Sequence, residues 1–349
     1  MIPEFYTNWH IGWQIPFLIL CLGVGIFLLV KCCDLFVSSA SAIAKKLRVS
    51  PLIIGLTVVA IGTSLPELAV SLFDSIESGM SGGYANVSVG NVIGSNIANI
   101  LLVLGFSVVF TPIVITPSNR RKELPILLGI SVVMTVFAIF FGLNGATGSY
   151  AVTRWEGIVL LVIFVGYMTF ILMDAKKHPQ EVAPEEIKDM KTWKAILFVV
   201  LGAAGIAIGG EAVVYGAKGG AMLIATSAGW DHDLAESLVG LTIVAVGTSL
   251  PELVTSTVAA KKGENELALG NVIGSNIFNV VFVLGLSSTV NPLVTGSEVV
   301  VDVLVMLGIT VLLFGLSFKG KLGKGVGIAF LSLYVLYMVY LILRTMQIF

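Results

Sequence analysis

Gly62-Thr63-Ser64-Leu65-Pro66-Glu67-Leu68 leads on to Gly90-Asn91-Val92-Ile93-Gly94-Ser95-Asn96-Ile97-Ala98-Asn99, and both stretches recur in the second half of the chain. The copies read Gly247-Thr248-Ser249-Leu250-Pro251-Glu252-Leu253 and Gly270-Asn271-Val272-Ile273-Gly274-Ser275-Asn276-Ile277-Phe278-Asn279. Each couples one carboxylate to hydroxyls and amides inside otherwise apolar sequence. Pro66 removes a backbone donor and disturbs the carbonyl of Gly62, and Pro251 repeats this. In lipid such a break is tolerated only against protein or a water-filled cavity. Both stretches therefore predict broken helices facing the interior of a bundle.

The rest of the chain has a membrane composition. Of 349 residues, 56% are hydrophobic and 12% charged, with a mean hydropathy of +0.99, where soluble domains carry about a quarter charged residues. Continuously apolar runs long enough to cross a core of about 30 Å recur about ten times. They do not alternate, which excludes a transmembrane barrel. The net charge is −1, without a basic tail or basic-aromatic patch, so nucleic acid is not an expected partner. Cys21, Cys32 and Cys33 form no CxxC pair and read as small apolar fillers. The first twelve residues lack a basic segment and a cleavage pattern, so the first run is expected to be retained.

The expected spans cover roughly 12–30 (continuing helical to 44), 51–75, 86–110, 124–141, 157–173, 195–223, 237–260, 266–286, 300–317 and 325–343. Residues 1–173 form a first five-helix repeat, 174–194 a polar cytoplasmic linker, and 195–349 a second repeat. Ile54 to Gly62 matches Val239 to Gly247 residue for residue in character, Glu211 falls near the place of Asp34, and Glu123 matches Asp302. An odd number of spans per half forces the second repeat into the membrane upside down. The expected fold is therefore all-α, with ten transmembrane helices in two inverted five-helix repeats and broken core helices, and with its site at the midplane.

Charge orients it. Lys45, Lys46 and Arg48, then Arg120, Arg121 and Lys122, then the linker lysines, Lys261 and Lys262, and finally Lys319, Lys321 and Lys324 fall on alternate connections. That is the positive-inside pattern, and it predicts both termini on the outer side. Asp34 is expected near an interface or paired with Lys31 at i,i+3, and His10, His178 and His232 on the surface.

On a helix Ala60, Thr63 and Glu67 share a face, with Ser64 and Ser71 flanking the carboxylate; Ala245, Thr248, Ser249, Glu252 and Ser256 repeat the set. Ser95 with Asn99, and Ser275 with Asn279, add i,i+4 pairs. These groups offer oxygen ligands without thiol or imidazole, which suits hard ions such as Ca²⁺ or Na⁺. Carbonyls near Ala60 and Ala245, weakened by the prolines, can aim at ions. The core motifs hold no Lys or Arg, so the carboxylates' expected partner is the ion itself. The glycines serve mainly close helix packing, while for Asn91, Asn96, Asn271 and Asn276 interhelical hydrogen bonding and ligation stand level.

The doubled G-T-S-L-P-E and G-N-V-I-G-S-N-I resemble the alpha-repeats of the cation/calcium exchanger superfamily, and the chain is most similar to prokaryotic sodium/calcium exchangers, essentially end to end. The resemblance implies Na⁺/Ca²⁺ exchange by alternating access, in a multi-pass protein of a prokaryotic plasma membrane. It implies no cofactor and no enzymatic activity, with inorganic cations and the lipid bilayer as partners and one chain as the working unit. It places the carboxylates on Glu67 and Glu252, other ligands on Thr63, Ser64, Ser95, Asn99, Thr248, Ser249, Ser275 and Asn279, and carbonyl ligands at Ala60 and Ala245. The first and sixth spans are implied to slide against the core. Family members often carry Asp where Asn279 stands, and its absence argues against K⁺ dependence. Proton-coupled transport of Ca²⁺ or Mn²⁺ by the same fold is the alternative, and a channel is a third reading.

Overall fold

The computed structural model describes residues 11–81, 87–141, 150–177, 190–229, 245–295 and 298–346. Its helices are α1 (Ile11–Leu47), α2 (Pro51–Thr63), α3 (Leu65–Met80), α4 (Ser88–Phe110), α5 (Pro117–Ile139), α6 (Arg154–Lys177), α7 (Thr192–Ser227), α8 (Ala245–Thr248) and α9 (Leu250–Lys261). They continue with α10 (Asn265–Val290), α11 (Glu298–Ser317) and α12 (Lys324–Thr345). Among the described residues eight helices are long and apolar enough to span a membrane, and the bent pair α2 and α3 makes a ninth. α8 and α9 are the second part of the tenth, whose beginning at 237–244 lies outside the described residues, as do the three histidines and most of the linker.

Burial sorts the helices into centre and rim. In α10 94% of the apolar window is buried, against 17% in α1. The motif-bearing helices α4 and α10 thus form the centre. α1 and α7 pack antiparallel along one edge, and small residues let them approach closely. A Cβ on Gly25 would lie 2.8 Å from the carbonyl oxygen of Gly209, and one on Gly216 the same 2.8 Å from that of Leu18. At the centre, a Cβ on Gly55 would meet the Leu267 carbonyl at 2.6 Å and one on Gly270 the Leu52 carbonyl at 2.6 Å. The two repeats touch there backbone to backbone.

Among the described residues four short strands cross-link the repeats. β1 (Ile113–Val114) pairs antiparallel with β4 (Lys321–Leu322), and β2 (Tyr150–Val152) with β3 (Leu293–Thr295). β1 and β3 follow Thr111-Pro112 and Asn291-Pro292, whose pre-proline residues leave the helix in extended conformation (φ −138° and −144°) because proline disfavours the helical region before it. Strands two or three residues long carry no readable alternation, so the sequence did not announce them.

α1 is one helix of 37 residues, roughly 55 Å at 1.5 Å per residue, in line with the expected first span and its helical continuation to 44. Two expectations change. The break in the second span falls at Ser64 (φ −88°, ψ 12°), ahead of Pro66, and its repeat at Ser249 (φ −87°, ψ 2°). Each proline then occupies the first turn of the next helix, where a missing N–H costs nothing. Asp34 pairs with Lys262 at 2.6 Å and not with Lys31, since a neighbouring helix end brings the lysine directly to it.

Candidate functional site

The two breaks deliver two carboxylates to the centre. Glu67 lies in the first turn of α3 and Glu252 in that of α9, where unpaired N–H groups and the helix dipole favour negative charge. Both side chains are wholly buried. Neither forms an ion pair among the described residues.

Three hydroxyls reach them, Ser64 from the opposite repeat and Ser275 and Ser95 from the same one. Ser64 Oγ donates to Glu252 Oε1 at 2.7 Å, and Ser275 Oγ to the same atom at 3.4 Å. Ser95 Oγ donates to Glu67 Oε1 at 3.5 Å. Thr63 Oγ1 donates to Asn271 Oδ1 at 3.1 Å. The helical spacing had put Thr63 and Ser64 beside Glu67. The turn at Ser64 instead aims both at the other repeat.

The asparagines divide by role. Asn96 Nδ2 donates to the Asn276 carbonyl (3.1 Å) and Asn276 Nδ2 to the Asn96 carbonyl (3.2 Å), a reciprocal pair joining α4 to α10. Asn91 and Asn271 donate to Ser71 Oγ (3.2 Å) and Ser256 Oγ (2.9 Å). Asn279 Nδ2 donates to Asn96 Oδ1 at 3.2 Å. Asn99 and Asn279 each open a π-helical segment, Asn99–Leu104 and Asn279–Leu284. Such segments recur at functional sites because the wider turn redirects a side chain and loosens the carbonyl ladder. Their only cue along the chain is an asparagine at the end of each motif and a glycine six residues on.

Several oxygens at this centre lack a partner. Glu67 Oε2, Glu252 Oε2, Asn99 Oδ1, Asn279 Oδ1 and Ser249 Oγ are buried without a hydrogen bond, although buried polar atoms are nearly always satisfied. No group of three or more His, Cys, Asp or Glu placed to hold a metal ion occurs among the described residues. A cation would rest on two carboxylates and neutral oxygens, which is hard-ion chemistry. The Ala60 carbonyl is not free. It accepts from Ser64 N at 3.0 Å and Thr63 Oγ1 at 3.4 Å, because the donor that Pro66 removes belonged to Gly62. Thr248 is half-buried, and Ala245 opens α8.

The repeats are not in the same conformation. Ser64 is seated on Glu252, while Ser249 has no partner. Gly270 and Asn271 are buried, while Gly90 is exposed and Asn91 only half-buried. The first turns of α10 are thus more deeply buried than those of α4.

Two inverted membrane repeats, with a buried oxygen site where broken helices meet, define a secondary transporter. The Sodium/calcium exchanger protein family matches residues 17–173 and 194–343, and the chain belongs to it. It is therefore a multi-pass cation antiporter of the alternating-access kind and not an enzyme, with ions as cargo and no cofactor. It is 37% identical over 309 residues to the putative antiporter CaxA of Alkalimonas amylolytica, covering 86% of this chain and 90% of that one. It is 33% identical to the sodium/calcium exchanger MaX1 of Methanosarcina acetivorans, covering 94% and 98%. A solved structure of the sodium-calcium exchanger NCX_Mj superposes with a TM-score of 0.76 at 30% identity, covering 93% of this chain and 98% of that one.

Proposed function

We propose that the chain exchanges Na⁺ for Ca²⁺ across a prokaryotic plasma membrane, with Glu67 and Glu252 holding the cation between the two repeats. One observation carries the reading: two wholly buried carboxylates, each with an unpartnered oxygen and neither in an ion pair among the described residues. Such charges are costly in the membrane unless an ion offsets them. One divalent ion neutralises both, and monovalent ions do so only by binding more than once, so the two cargoes compete for the same acids. Ser95, Asn99, Ser275, Asn279, Thr63, Ser64, Thr248 and Ser249 supply neutral oxygens. The Ala60 and Ala245 carbonyls join them once the helix breaks rearrange.

Repeat one covers 1–173, the linker 174–194 faces the cytoplasm, and repeat two covers 195–349, with both termini outside. Both carboxylates and their hydroxyls come from one chain, so a monomer suffices. ⁴⁵Ca²⁺ uptake into proteoliposomes loaded with Na⁺, compared with K⁺ loading and with an outward proton gradient, tests the reading. Uptake driven only by Na⁺ is expected. Uptake driven by protons alone would transfer the assignment to a proton-coupled Ca²⁺ or Mn²⁺ antiporter.

A further inference from the structure

Lys262, just beyond the end of α9, makes three contacts with α1. Its Nζ lies 2.6 Å from Asp34 Oδ1, 3.0 Å from the Asp34 carbonyl oxygen and 2.7 Å from Ser38 Oγ. Next to Asp34, Cys33 is wholly buried with its Sγ 3.2 Å from Thr255 Oγ1 of α9. The seam between α1 and the end of α9 is thus shut, and Lys262 closes it from the basic face.

The repeat fixes what stands at the equivalent seam on the opposite face. A Cβ on Gly25 would meet Gly209 and Val213, and one on Gly202 would meet Cys32 and Phe36. These reciprocal contacts set Gly25 against Gly202, Cys32 against Gly209 and Phe36 against Val213 in the repeat register. Asp34 then corresponds to Glu211. Counting on from the matched Glu67 and Glu252, Lys262 corresponds to Glu77. Both Glu77 and Glu211 are exposed. A cation and an anion on one face are therefore replaced by two anions on the other.

In an inverted-repeat transporter the two access states exchange the conformations of the repeats. We propose that Lys262 is a one-sided latch. It holds α1 to the end of α9 in the conformer closed on the basic face, and the opposite conformer has no counterpart, because its closure brings Glu77 towards Glu211. The latch rests on the antiporter reading only in requiring two such conformers. A partly exposed pair is worth little, about 0.2–1 kcal/mol, which is enough to shift a two-state population by roughly 1.4- to 5-fold. Lys262 is a positioning residue and touches no cargo.

The test follows the thiol of Cys33 in a Cys21→Ala, Cys32→Ala background, using a water-soluble methanethiosulfonate on purified protein in ion-free detergent buffer. Lys262→Met and Asp34→Asn are each expected to raise the labelling rate two- to fivefold. Glu77→Lys, which sets a base opposite Glu211, is expected to raise it as well. The exchanged pair Asp34→Lys with Lys262→Asp is expected to return it to the parent rate. Unchanged rates in both single neutral variants, or no recovery in the exchanged pair, would overturn the latch. No flux is measured, so failure of the Na⁺/Ca²⁺ reading leaves these outcomes legible.

Discussion

Ser64 of the first repeat donates a 2.7 Å hydrogen bond to Glu252 of the second, and the hydroxyl of its repeat mate Ser249 makes none. A bond to a charged group contributes about 1.5–3 kcal/mol. Ser64→Ala is therefore expected to lower the melting temperature of ion-free protein in detergent, and Ser249→Ala to leave it nearly unchanged. Equal losses in the two variants would contradict the asymmetry between the repeats.

Glu67→Gln and Glu252→Gln each remove half of the site's formal charge while preserving its shape. Each is expected to weaken Ca²⁺ binding at least about tenfold, equivalent to 1.4 kcal/mol, in protein that elutes as folded. Isothermal titration with Ca²⁺, beside the flux assay, measures this. Near-normal binding by both variants would rule out a two-carboxylate site.

Close backbone packing at the centre leaves no room for a methyl group. Gly55→Ala and Gly270→Ala put a Cβ 2.6 Å from a facing carbonyl, an overpacking that costs roughly 1–3 kcal/mol. Gly129→Ala, where a Cβ meets nothing within 4 Å, is the matched control. The first two are expected to lower folded yield or thermal stability and the third to be neutral, read by fluorescence-detected gel filtration.

The pairing of Val114 with Lys321 predicts a cross-link. Antiparallel partners lie about 4.5–5.5 Å apart at Cα, within disulfide range. Val114→Cys with Lys321→Cys, in a background without the three native cysteines, is expected to oxidise to a disulfide. After proteolysis in the linker the halves would then migrate together on a non-reducing gel, and apart if the strands were not paired.

What could be read in advance followed from physics that acts along one helix. Apolar runs gave the spans, the doubled motifs gave the repeat, and the Pro-Glu steps located the acids. What could not be read depends on neighbours that sequence separation hides. Ser64 bonds an acid of the other repeat because the chain turns at that serine. Asp34 takes Lys262 over Lys31 because α9 ends beside it. The π-helical segments at Asn99 and Asn279 and the two strand pairs answer to packing between the repeats.

The reciprocal amides of Asn96 and Asn276 have a consequence in time. Each satisfies its donor on the other's carbonyl across 180 residues of chain. At a synthesis rate of about 5–20 residues per second, the first asparagine waits roughly ten to forty seconds for its partner to be made. During that interval the first half lacks the carbonyl that Asn96 uses in the finished fold. The newborn half-protein is therefore a natural client for whatever holds unfinished membrane segments until the second repeat arrives.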